Sequence, residues 1–241
     1  RAVVEGLADR GVARNRLCES VTAGLRRLGT AYVELDQCRR DDEGTPLPET
    51  GRARGDLIRQ GKVLYWGTSM WSAAQLREAC RLCDELGVPR PISEQPRYSM
   101  LCREIEAAVL PACRELGIGL LFWSPLAQGM LTGKYRRGQP APAGSRGADP
   151  KRVGEFLDQA LCNPLAWDRI EEVKRLADAH GLPMATLAIA WCLRQAPEGT
   201  VLLGATTPAQ LAELLPAAEL EWPDGLDEAL AEALAGPALA F

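Results

Sequence analysis

The chain has 241 residues, 46% hydrophobic and 25% charged, with a formal net charge of -4. That size and mixture suit a globular enzyme folded as one domain over 1–241. No apolar run approaches a bilayer span and no basic run suits nucleic acid, so neither membrane insertion nor a nucleic-acid partner is expected.

Short apolar runs at 31–35, 63–68, 91–95, 118–124 and 200–203 read as strands. Between the first four lie helical patterns at 15–28, 50–60, 72–86 and 102–116. Gly29, Gly61, Gly87 and Gly117 follow them, each where a left-handed C-cap is expected. This is the grammar of repeated βα units around a parallel sheet. The first four strands start about 30 residues apart, the step of a (β/α)8 barrel. A doubly wound sheet would also alternate, but no G-x-G-x-x-G follows any strand. A long Gly- and Pro-rich connection covers 125–150. Helices are then expected at 165–179, 184–195, 208–215 and 226–234.

Five strands are clear, and Ala2-Val3-Val4 reads as the tail of a sixth. The expected fold class is therefore α/β, of the (β/α)8 TIM-barrel type and incomplete, with about strands 3/4 to 8 present. The start at Arg1 instead of Met points to upstream sequence. The alternative is a chain that completes its open sheet with a partner. A cytoplasmic location is expected, because nothing resembles a signal peptide and the eight cysteines are scattered as reduced thiols.

In barrels, function sits at the C-terminal ends of the strands. Those ends read Gln37-Cys38-Arg39-Arg40, Gly67-Thr68-Ser69, Ser93-Glu94-Gln95, Trp123-Ser124-Pro125-Leu126 and Gly204-Ala205-Thr206-Thr207. In the last, Gly204 allows close backbone approach, and Thr206 and Thr207 open a helix that could attract an anion. Thr207 with Gln210 also reads as a plain capping box with Pro208 at the first helical position; both readings stay open.

These motifs carry a resemblance. Leu64-Tyr65-Trp66-Gly67-Thr68-Ser69 with Trp71-Ser72 is similar to the aldo-keto reductases, in particular the branch that includes the potassium-channel β subunits. So are Glu94-Gln95 with Tyr98, Trp123-Ser124-Pro125-Leu126-Ala127 with Gly129, and Gly133-Lys134-Tyr135. The segments Leu187-Ala188-Ile189-Ala190-Trp191-Cys192-Leu193-Arg194 and Val201-Leu202-Leu203-Gly204-Ala205, with Gln210-Leu211 and Glu213, continue it. Each motif is weak alone; together they run in order from about Arg10 to Leu215.

The resemblance implies an NADP(H) groove. Ser69 and Gln95 match residues that bind the nicotinamide carboxamide, and Trp123 matches the aromatic on which the ring rests. Ser124, Pro125, Leu126, Ala127 and Gly129 match the turn around the pyrophosphate. Lys134 and Arg146 match cations near the adenosine 2′-phosphate, where charge-assisted hydrogen bonds can select NADP over NAD. Gly204, Thr206, Gln210 and Glu213 match the adenosine end, with Leu214 where the family often has Asn. Without the resemblance, Trp123 at a strand end reads more often as core than as a platform, and the loop cations as solvated charges.

The resemblance also implies a tyrosine acid with lysine and aspartate partners, and a histidine or asparagine beside the carbonyl. The aspartate and tyrosine would precede this chain, and the lysine aligns near Ala2. Tyr32, Tyr65, Tyr98 and Tyr135 do not match the tyrosine, and Arg39 stands where the histidine is expected. An inward-pointing Arg39 would repel oxidised nicotinamide by up to about 3 kcal/mol at 5 Å and an effective dielectric of 20, favouring NADPH over NADP⁺. Outward, it is a solvated charge.

Cys80 and Cys83 form a C-x-x-C inside a helical pattern and are read as core. His180, the only histidine, sits at a helix end without neighbours for a metal site. The expected function is NADPH-dependent reduction of a small carbonyl substrate, in a chain that here lacks its aspartate, tyrosine and lysine. The alternative is a non-catalytic NADP-binding regulator or scaffold, and a homo-oligomer remains open.

Overall fold

The computed structural model describes residues 14–39, 45–151, 153–237 and 239. The candidate strand at Ala2-Val3-Val4, the lysine position near Ala2, and residues 40–44 lie outside them. Two compact units emerge, one made of Arg1–Pro96 with Glu106–Leu121 and the other of Arg97–Ile105 with Phe122–Phe241.

The first unit alternates helix and strand: α1 (Arg14–Leu28), β1 (Val33–Cys38), α2 (Leu47–Arg59), β2 (Val63–Thr68), α3 (Ala73–Leu86), β3 (Ser93–Glu94), α4 (Val109–Leu116) and the start of β4 (Gly119–Phe122). The strands are parallel and in chain order, with Val33 opposite Val63, Cys38 opposite Thr68, Thr68 opposite Glu94, and Ser93 opposite Gly119. Helices α1 to α4 pack each against the next. Ala53, Leu57, Leu76 and Ala79 are buried, so the amphipathic stripes of the sequence are the buried faces.

Local chemistry explains the element ends. Gly87 and Gly117 take left-handed φ values of 62° and 68° and close α3 and α4, as their positions in the sequence predict. Ser72 and Gln75 form a reciprocal capping box at the start of α3. Helix α4 differs from expectation: the sequence places its start at 102, but residues Glu104–Ala107 form a 3-10 turn and the α-helix begins at Val109. Pro111 is the cause. It has no N–H to give and is tolerated only in the first helical turn.

A cation is buried here. Arg54 on α2 is 2% exposed, pairs with Asp36 on β1, and lies 6.0 Å from the Trp66 ring centre. Burial lowers its guanidinium to about 10, so it stays protonated at neutral pH.

The second unit continues from the last residue of β4. It holds α5 (Gly154–Cys162), α6 (Pro164–Ala179), α7 (Met184–Gln195), β5 (Gly199–Val201), α8 (Pro208–Leu214) and α9 (Leu226–Ala233). Leu202 donates its N–H to the Phe122 carbonyl at 2.9 Å, aligning the chain after β5 with the end of β4. Helix α7 is buried from Met184 to Cys192, apolar on all sides as its sequence is. Tyr98 packs against Phe122 and Trp191, with ring centres 4.9 and 5.3 Å away. Helix α5 has no counterpart among the predicted elements; only Leu157 and Ala160 are buried on it, too short a stripe to register as periodicity.

The fold class is α/β with five parallel strands among the described residues, the content of an incomplete (β/α)8 barrel. No single helix among the described residues is long and apolar enough to cross a membrane.

Candidate functional site

In the second unit a cavity of about 500 Å³ opens beside the segment that follows β4. That segment doubles back within a few residues. Ser124, Ala127 and Gln128 adopt φ of 60°, 47° and 59°, and Gly129 follows at 103°. Left-handed non-glycine residues cost energy and persist where surroundings fix them, which is common at binding sites. Here Ala127 N–H bonds the Ser124 carbonyl at 2.9 Å, Gly129 N–H bonds the Leu126 carbonyl at 2.8 Å, and Gln128 Nε2 donates to Ser124 Oγ at 3.0 Å. Glycine suits position 129 because its φ of 103° is one that residues with a side chain rarely adopt.

The opposite wall is the segment after β5. Thr207 caps the seven-residue α8 by accepting from Gln210 N–H at 3.2 Å. The Gln210 side chain does not complete a reciprocal box with Thr207. Its Oε1 instead accepts from the N–H and Oγ1 of Thr206 at 2.8 and 3.0 Å, holding Thr206 at the cavity. A third wall carries Lys134, Ser145 and Arg146. The Oγ of Ser145 is buried there with no hydrogen-bond partner.

The structure thus gathers most of the residues singled out in the sequence around one cavity: Trp123, Ser124, Pro125, Leu126, Gly129, Lys134, Arg146, Gly204, Thr206, Gln210 and Glu213. Trp123 is half-buried and forms part of the wall. Ala127 is buried behind the turn and is not part of the lining. Gln128, Thr132, Ser145 and Ala185 also line the cavity and were not among the sequence candidates. Gln128 and Ser145 are neighbours of chosen residues, whereas nothing local in the sequence signals Ala185 on α7.

The remaining candidates belong to the first unit, where the ends of β1, β2 and β3 bring them side by side. Ser69 N–H donates to the Cys38 carbonyl at 2.9 Å, next to Arg39, which is exposed. Ser69 Oγ donates to the Gln95 carbonyl at 2.9 Å, and Gln95 N–H donates to the Thr68 carbonyl at 2.8 Å. Just below, Gln37 Nε2 reaches over Gly67 to Ser93 Oγ at 2.9 Å. Only a glycine permits that bridge, since a Cβ at Gly67 would fall 2.1 Å from Ser93 Oγ.

The aldo/keto reductase family model matches residues 4–232. The chain belongs to the aldo/keto reductase family. It is 39% identical over 216 residues to a protein of Arabidopsis thaliana named "Probable voltage-gated potassium channel subunit beta", covering 89% of this chain. It is 37% identical over 217 residues to a protein of the same name from Oryza sativa subsp. japonica, covering 90% of this chain. The chain spans 65% of the length of each. In sequence it is similar to these proteins named as channel β subunits. Its strand ends carry the Ser69, Gln95 and Trp123 motifs at the places that the (β/α) grammar assigns to function.

Proposed function

We propose that this aldo/keto reductase holds NADP(H), with the adenosine and pyrophosphate portions in the cavity of the second unit. The observation that carries the reading is the composition of that cavity. One wall is a tight turn beside a half-buried tryptophan, another presents two cations, and a third presents a polar threonine–glutamine pair. The residues fit such a nucleotide. The buried Ser145 Oγ lacks a partner, and the space around Gly204 is open, a Cβ there meeting nothing within 4 Å. A buried hydroxyl without a partner is costly and is satisfied by a polar ligand.

In this reading Lys134 and Arg146 hold the 2′-phosphate by charge-assisted hydrogen bonds, and Thr206, Gln210 and Glu213 flank the adenosine. Trp123 offers an aromatic face beside them. The bound nucleotide supplies a hydride for reduction of a small carbonyl substrate to an alcohol. All eight cysteines carry thiols, which supports a reducing, cytoplasmic setting.

Arg39 favours a second reading. A guanidinium stands where the family pattern has a histidine, and it cannot give up its proton. The names of the relatives then suggest a nucleotide-binding subunit that regulates a partner protein, as a single chain or a homo-oligomer. Tryptophan fluorescence titration with NADPH and NADH tests the shared premise. NADPH should bind at least tenfold more tightly; equal affinity, or no quenching by either at millimolar concentration, contradicts it.

A further inference from the structure

Tyr135 is 4% exposed and does not line the nucleotide cavity, yet it contacts Lys134 and the residue that follows Arg146. Its hydroxyl accepts the backbone N–H of Gly147, the residue after Arg146, at 3.0 Å. Its ring supports Lys134, whose Nζ lies 5.2 Å from the ring centre. A Cβ placed at Gly129 would come within 3.3 Å of the same ring, and one at Gly147 within 3.0 Å, so both glycines are packed close against it.

The segment that Tyr135 holds has little else to fix it. Arg146–Ala148 is a single 3-10 turn whose N-cap, Ser145, makes no side-chain capping bond. Its own backbone bonds are long, 3.3 Å from Ala148 to Ser145 and 3.3 Å from Asp149 to Arg146. Among the described residues, Ser145 N–H bonds the Pro142 carbonyl at 3.0 Å within the loop, and the hydrogen bond to Tyr135 ties residues 146–148 to the chain beyond 142–149. Arg146 itself makes no ion pair among the described residues.

We propose that Tyr135 is a positioning residue that sets the phosphate selectivity of the cavity: its hydroxyl pins the turn bearing Arg146 while its ring carries Lys134, so that both cations face one phosphomonoester. The proposal rests on the nucleotide reading above and adds a determinant outside the lining. Tyr135→Phe keeps the ring and removes only the hydroxyl. Loss of one such bond corresponds to about a three- to tenfold effect.

Dissociation constants for NADPH and NADH test it in wild type, Tyr135→Phe, Arg146→Ala and the double variant. Tyr135→Phe should weaken NADPH about three- to tenfold and leave NADH unchanged, and in the Arg146→Ala background it should change NADPH binding less than twofold. Gly147→Ala, which pushes the turn off the ring, should repeat the selective loss. Equal weakening of both nucleotides, or the same NADPH loss with Arg146 removed, overturns the proposal. A wild type that binds neither nucleotide refutes the reading of the cavity instead. The latch is then judged by amide exchange at Gly147, faster in Tyr135→Phe if the hydroxyl holds it; an unchanged rate overturns it.

Discussion

The backbone N–H of Trp71 donates to Oε1 of Glu94 at 3.2 Å, while the Thr68 hydroxyl donates to the other carboxylate oxygen. Glu94 is fully buried, and through these bonds it holds the turn in which Met70 takes a φ of 65° and Ser69 is presented beside Gln95. The carboxyl is therefore both a clamp and a buried charge.

Burial raises the Glu94 carboxyl above its ordinary value, outweighing the hydrogen bonds from Thr68, Trp71 and Met70. The folded protein thus binds this proton more readily than the unfolded chain. Its contribution to stability is full below about pH 4.5 and is lost as pH rises through the folded-state value. Glu94→Gln cannot titrate. Urea unfolding at pH 4.5 and pH 7 should show the variant gaining stability relative to wild type as pH rises; parallel profiles contradict the assignment.

Arg54 and Asp36 are unequally buried, with side-chain exposures of 3% and 30%. Asp36→Ala strands a protonated guanidinium in the core and should cost about 3–5 kcal/mol. Arg54→Met leaves a carboxylate that can still reach water and replaces the charge with an apolar stem, so its cost should be clearly smaller. Chemical denaturation of the two variants compares them. A larger loss for Arg54→Met would reverse the argument.

Gly67→Ala should destabilise the first unit by about 2 kcal/mol or more, because the new methyl overlaps Ser93 Oγ and the Gln37 side chain. Adding Ser93→Ala should rescue only part of this, since the Ser93 carbonyl oxygen would remain 2.7 Å from the methyl. Melting temperatures of the single and double variants check it, and full rescue would place the clash in the hydroxyl alone.

Arg39 is exposed at the end of β1, and this changes the size of the effect expected from its charge. Near-water screening replaces the lower dielectric of a closed site, so Arg39→His should shift the ratio of NADPH to NADP⁺ affinity by only a few-fold. Paired titrations measure that ratio, and a hundredfold shift would require a dry, inward guanidinium.

Much of the fold is legible in local sequence because glycine caps and apolar periodicity act locally. Gly87 and Gly117 mark helix ends correctly for that reason. The miss at α4 shows a competing local rule, Pro111, overriding the longer apolar stripe. The cavity is legible where its residues follow strand ends, as with Trp123 and Gly204. Ser145 and Tyr135 are not legible in this way. Their importance lies in a missing hydrogen bond and in contacts between residues twelve positions apart across a loop, which no spacing pattern encodes.

The most direct test of the account is hydrogen exchange of the full chain with and without NADPH. Binding in the second unit should slow exchange in the turn from Ser124 to Gly129 and in the segment from Gly204 to Gln210, with weaker protection around Arg146. Protection confined to other segments, or none at saturating NADPH, would contradict it.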